Sequence, residues 1–171
     1  MRIRTIATFA IAAATMFAAA PKPASYAGKW TLDRAQSTNL PRMYEHVTGH
    51  TLDISQTATD LNVGVTITAE THDPENFLFA YRLDGTPTKA QTHIRTPQGP
   101  ADVPTTLKAQ VNADGTMTIT IDRELPFGPQ PVHGVTVETW KLDEKGNKLT
   151  IHRADDTPRG KFECDMVFVR G

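Results

Sequence analysis

Residues 61–69 read Leu-Asn-Val-Gly-Val-Thr-Ile-Thr-Ala, oily and polar by turns without a slip. Period two with β-branched side chains builds a strand with one apolar face and one wet face. The alternation returns at Phe77, Phe79, Tyr81 and Leu83, at Leu107, Ala109 and Val111, and at Met117, Ile119 and Ile121. It returns again at Leu149 and Ile151, then at Phe162, Cys164, Met166 and Phe168. Residues 28–33 and 51–56 add shorter pieces. The chain therefore holds roughly nine or ten strands of ordinary length. Asp84-Gly85, Asp114-Gly115 and Lys145-Gly146-Asn147 separate them with residues that tolerate positive φ, and Thr59-Asp60 is a weaker turn. Strands joined so tightly must be antiparallel.

A meander of this many strands has two edges to protect, and closure into a barrel removes both. The expected fold class is all-β, an antiparallel up-and-down meander of about 8–10 strands closed into a barrel. A two-sheet sandwich is the alternative. It needs longer crossing connections, for which only residues 96–104 and 123–134 have the length. Helix is scarce: residues 34–47 are the one candidate, and Pro41 limits them to a short turn. No linker or low-complexity segment divides residues 28–171, so they read as one domain.

Ahead of that domain, Arg2 and Arg4 precede a nearly unbroken apolar run over residues 6–20. The run is short and rich in small residues, which fits the core of a secretory signal. An uncleaved anchor is the competing reading. Ala18 and Ala20 supply one small-x-small cleavage pattern, and Ser25 and Ala27 supply another just before Gly28. The expectation is an exported protein, secreted or periplasmic, with no membrane span after processing. About 150 residues then fold, enough for one apolar core.

The whole chain carries a formal charge of −1, and losing Arg2 and Arg4 takes it to −3. That is too mild for a charge-driven partner, and there is no basic stripe for nucleic acid. Cys164 is the single cysteine, so no internal disulfide can form. Nucleophile elbows, phosphate-cradling loops and zinc motifs are missing, so no catalytic, metal or cofactor residues are assigned. The six histidines are scattered, and Asp155-Asp156, beside Pro158 and Gly160, reads as a solvated turn. Catalytic groups can still assemble from distant positions, so an enzyme is the third expectation rather than an excluded one.

Gly28-x-Trp30 on the first strand resembles the Gly-x-Trp signature of the lipocalins and the wider calycin group. The stretch Gly28-Lys-Trp-Thr-Leu-Asp33, then Ala35-x-Ser37, resembles the opening of small secreted bacterial lipocalin-like domains of unassigned function. Glu138-Thr-Trp-Lys-Leu, a polar turn and Lys148-Leu-Thr-Ile151 are similar to the same group. Trp30-x-Leu-Asp33 with Ser37 and His46 more weakly resembles the secreted isoprenoid-binding barrels. The resemblance implies a lipocalin-like barrel that takes an apolar ligand. It also implies an Arg from the last strand covering the first-strand Trp, here Arg170 over Trp30 as a structural floor. A frayed, solvated Arg170 is the alternative.

If the apolar faces look inward, the lumen collects Phe77, Phe79, Tyr81, Met117, Phe162 and Met166. It is either a packed core or a cavity. A four-residue turn over 143–146 would set Trp140 opposite Leu149 and Glu138 opposite Ile151, with Arg153 diagonal to Glu138. Glu138, Trp140 and Arg153 would then share one side, either as an interior polar handle for a ligand head group or as a solvated rim pair. The segment 126–131 carries three prolines and reads as a stiff loop, with Phe127 as a lid or an edge contact. Two functions follow. The first is a non-catalytic barrel binding a small, mostly apolar or amphiphilic molecule through Phe77, Phe79, Tyr81, Glu138, Trp140, Arg153 and Met166. The alternative is a solid structural barrel that binds another protein through its rim or edge.

Overall fold

The computed structural model describes residues 24–70, 72–96, 99–127, 130–158 and 160–171. The apolar leader and its Ala18–Ala20 cleavage pattern lie outside the described residues. Ten strands follow in order: β1 (Gly28–Leu32), β2 (Val47–Gln56), β3 (Asp60–Ala69), β4 (His72–Arg82), β5 (Thr88–Thr96), β6 (Gly99–Val111), β7 (Met117–Leu125), β8 (Val132–Leu142), β9 (Lys148–Thr157) and β10 (Gly160–Arg170). One 3₁₀ turn, Arg42–His46, precedes β2, the short turn expected of a segment broken by Pro41.

The sheet order is β4-β3-β2-β1-β10-β9-β8-β7-β6-β5, with antiparallel neighbours throughout. Every neighbouring pair but one is consecutive in the chain. The exception, β1 with β10, joins the two ends of the meander. β4 and β5 are left as the last two edges. The turn between β4 and β5 is tied to β6 by the Asp84–Gln110 bridge and a bond from Gly85 N to Ala109 O of 3.0 Å. The result is a nearly closed barrel with one seam, between β4 and β5. This settles barrel against sandwich.

The two connections suspected of being long are not. β6 begins at Gly99 and β7 runs on to Leu125, leaving only short loops. Pro100 and Pro104 are tolerated because the β6–β7 ladder starts only at Thr105, so that stretch of β6 has one free side. Pro74 sits on β4, at the seam. The turns fall where glycine places them: Gly85, Gly115 and Gly146 have φ of 80°, 83° and 68°.

The segment between β1 and β2 is strapped to β10. Ser37 Oγ donates to Asp33 O at 2.7 Å and accepts from Val167 N at 3.0 Å, and Thr38 bridges Asp165. Asp33 Oδ1 accepts from Ala35 N and Gln36 N, closing the bend. These are residues of the motif read from the sequence, and their work is to anchor the strap.

Candidate functional site

The inward rows divide the barrel into two halves. At one end Trp30, Leu61, Met117, Leu149 and Phe168 are all sealed from solvent. Trp30 Nε1 donates to Tyr26 O at 2.9 Å, and Tyr26 O–H donates to Gly115 O and Trp140 O. Burial, first, and Asp114, second, push the Tyr26 hydroxyl up to about 12. Arg170 Cζ lies 4.3 Å above the Trp30 ring, and its guanidinium donates to Ala27 O at 2.8 Å and Gly146 O at 3.0 Å. Trp30 and Arg170 therefore form a floor. Gly28 is required beneath it: its φ is 133°, and a Cβ there would overlap Arg170 Nη1.

The other half is partly open. Val65, Ile67, Phe77, Phe79 and Ile94 belong to the same inward rows, yet each stays partly exposed. Phe162, expected in the lumen, keeps the inward parity of Cys164 and Met166 but is 36% exposed, because β10 extends past the packed region. A cleft of about 170 Å³ at the seam is lined by Phe77, Phe79 and Thr92 from the inward rows and by Leu78, Gln91 and His93 from the outward ones. It cuts through the wall.

Between floor and opening lies a polar cluster. Glu138 stands directly opposite Arg153, Trp140 opposite Ile151 and Leu142 opposite Leu149. The expected register was two residues out. The turn spans 143–148, closed by Asp143 N to Lys148 O at 2.9 Å, with Asp143 Oδ1 accepting from Asn147 N and Lys148 N. The shift is even, so it keeps each side chain on its face. Glu138 is buried and Val137 exposed, so the pair points inward rather than at the rim.

Glu138 Oε2 accepts from Trp140 Nε1 at 2.9 Å, and Arg153 Nη1 lies 3.5 Å from Glu138 Oε1. Arg153 also grips Asp155 through Nε at 2.8 Å and Nη2 at 3.0 Å. Thr136 Oγ1 donates to Asp155 Oδ1 and accepts from Arg123 Nη1 at 3.4 Å. Burial works against the Arg153 charge, but Glu138 and Asp155 outweigh it and hold the guanidinium pKa above its usual value. Burial also opposes the Asp155 charge, and there Arg153 and Thr136 win, lowering its pKa.

Opposite this cluster the strap inserts Tyr44, whose hydroxyl lies 3.0 Å from His50 Nδ1 and 3.7 Å from Met166 Sδ. Burial, then Arg153, lower the His50 pKa to about 4, so the ring is neutral at pH 7. Burial raises Tyr44 to about 12 and raises Tyr81 as well. Burial likewise pushes the Cys164 thiol up.

Of the residues singled out from the sequence, Glu138, Trp140, Arg153 and Met166 meet in this region, Tyr81 faces it, and Phe77 and Phe79 line the opening. Asp155 corrects the sequence reading. It is not in a solvated turn, because β9 continues to Thr157 and the row Leu149, Ile151, Arg153, Asp155 stays inward. Arg123 was missed too, although it continues the row Met117, Ile119, Ile121. Tyr44 and His50 gave no periodic signal, since a 3₁₀ turn and a β-bulge after Val47 set their direction. Among the described residues no three His, Cys, Asp or Glu gather as a metal site, and no helix is long and apolar enough to cross a membrane.

The up-and-down order, closure through β1 and β10, and the Arg170-covered Trp30 make this a lipocalin-like barrel. No protein-family model and no curated protein matches the sequence. Among solved structures the chain is similar to lobster apocrustacyanin A1, with 12% identity and a TM-score of 0.43 over 85% of this chain and 61% of that one. The chain thus spans less than two thirds of the crustacyanin chain. It is also similar to a zebrafish ileal bile acid-binding protein solved with cholic acid, with 10% identity and a TM-score of 0.43 over 85% of this chain and 98% of that one.

Proposed function

We propose that this protein is an exported, non-catalytic barrel that binds a small amphiphilic molecule in the open half of its lumen, in the periplasm or outside the cell. One observation carries the reading. Inward-facing apolar side chains, Val65, Ile67, Phe77 and Phe79, stay partly exposed above a hydrogen-bonded polar cluster. A barrel that served only as a solid block gains about 25 cal/mol for each Å² of such surface it covers, and this one leaves it uncovered. An apolar wall with a few convergent polar groups is the usual make-up of a small-molecule site. The apolar part of the ligand lies against Phe77 and Phe79, and its polar end meets the Arg153 cluster. The apolar run over residues 6–20 supports export.

Native mass spectrometry of the protein purified from its envelope fraction tests the reading. A co-purified small-molecule mass, lost from a Phe79→Glu variant, is the expected result. A ligand-free protein that also takes up no added C12 amphiphile counts against it. A second reading, an interaction barrel, is favoured by the seam: β4 and β5 are unpaired edges, and Leu78 beside them is 76% exposed. Capture of an envelope protein that Leu78→Lys abolishes, with nothing in the lumen, supports that reading instead.

A further inference from the structure

The polar cluster around Arg153 holds two cations and two carboxylates, but they are not shared evenly; a further acid, Glu75, stands nearer the opening on the inward row of β4. Arg153 takes both acids of the cluster: it chelates Asp155 through two nitrogens and lies 3.5 Å from Glu138. Trp140 and Thr136 supply the remaining donors to those carboxylates. Each acid is therefore already satisfied. Arg123 is not. It makes one hydrogen bond among the described residues, to Thr136 Oγ1 at a long 3.4 Å, and has no ion pair. A guanidinium carries five N–H donors in a rigid fork, so the Arg123 Nε and Nη2 donors are unused.

Those nitrogens are not entombed. Every fully buried side-chain nitrogen or oxygen among the described residues has a hydrogen-bond partner. The unused Arg123 donors must then border accessible space, and the inward row of β7 places that space inside the barrel. The Tyr81 hydroxyl is in the same position: Tyr81 is 4% exposed, and its O–H has no hydrogen-bond partner among the described residues. Burial raises its pKa most, and Glu138, Arg123 and Arg153 act on it next, which places it in reach of the same groups.

We infer that Arg123 and the Tyr81 hydroxyl form the seat for a carboxylate head group on the lumen ligand. The inference rests on the ligand-binding reading above and sharpens it to one class, carboxylate-bearing amphiphiles. An incoming ammonium finds no free acid within this cluster, because Arg153 holds both. An incoming carboxylate finds a planar fork that can bind it through two nitrogens. The hydroxyl supplies a third donor. The polar wall around the fork, with Thr92 and Thr105 joined by a 2.6 Å hydroxyl contact, leaves the apolar tail to run toward Phe77 and Phe79.

Calorimetric titration of the full-length chain with lauric acid, 1-dodecanol and dodecylamine tests this. Three ligands of equal tail length isolate the head group. The expected result is laurate binding at least tenfold tighter than dodecanol, with dodecylamine weakest. Arg123→Gln should remove the laurate preference, bringing laurate down to the level of dodecanol. Tyr81→Phe should weaken laurate severalfold and serves as the second probe should Arg123→Gln not fold. Equal binding of acid and alcohol, or a laurate preference that survives both substitutions, overturns the carboxylate seat while the lumen reading stands. Failure of all three ligands to bind removes the lumen reading and this inference with it.

Discussion

Arg170 Cζ sits 4.3 Å above the indole of Trp30, the residue it faces across the β1–β10 ladder. This contact lies on the strand pair that turns a meander into a cylinder. A guanidinium over an indole is worth about 0.5–2 kcal/mol, and here the same group ties down two loop carbonyls. Arg170→Ala should lower stability by about 1–2 kcal/mol. Gly28→Ala should cost about 1–3 kcal/mol by a different route, since it forces both a strained φ and displacement of Arg170. Urea melts of the two single variants and the double variant check this. The double variant should lose less than the two singles together, because Gly28→Ala already dislodges Arg170.

Glu138 and Arg153 invite a second comparison. Removing one partner of a buried pair leaves an uncompensated charge, at a cost of about 3–5 kcal/mol. Glu138→Ala leaves Arg153 with Asp155, whereas Arg153→Ala strands two carboxylates at once. Arg153→Ala should therefore be the more damaging variant, near the top of that range, with Glu138→Ala at or below its lower end. Denaturant midpoints give the order, and equal losses would show that Asp155 draws little from Arg153.

His50 gives the fold an acid dependence with a definite sign. Its pKa is lowered from 6.5 to about 4 in the folded chain, so below pH 6.5 the unfolded chain binds the extra proton and the folded one does not. Stability should be full above pH 6.5 and decline as pH falls toward 4, by about 3 kcal/mol from this residue. Asp155, whose pKa is also lowered, adds its loss at lower pH still, below its unfolded value. Thermal melts from pH 8 to 4 should show the decline, and His50→Gln should flatten it between pH 6.5 and 4. A variant with an unchanged slope would place the titrating group elsewhere.

How much of this was legible follows from periodicity. Strict alternation on residues 61–69 and 117–121 gave the strands and their inward faces, because period two leaves a side chain only two directions. The same rule put Glu138 and Arg153 on one face even with the wrong register. Legibility failed where the chain stops being binary. Turn length over 143–148 depended on an Asp143 carboxylate capping two backbone amides. Asp155 and Arg123 are charged residues on inward rows, and a pattern search tuned to oily side chains ends a strand at the first charge. Tyr44 enters the lumen from a strap whose path is set by contacts to β10, far away in sequence.

The two tryptophans offer the most direct test of a barrel sealed at one end and receptive at the other. Trp30 Nε1 is bonded inside the floor, and Trp140 Nε1 is bonded to Glu138 at the base of the open half. Two-dimensional ¹H–¹⁵N spectra resolve their indole signals separately. On titration with lauric acid the Trp140 indole signal should move progressively to saturation at one equivalent, while the Trp30 signal stays in place. If both signals stay fixed, or Trp30 moves and Trp140 does not, the ligand is not where this account puts it.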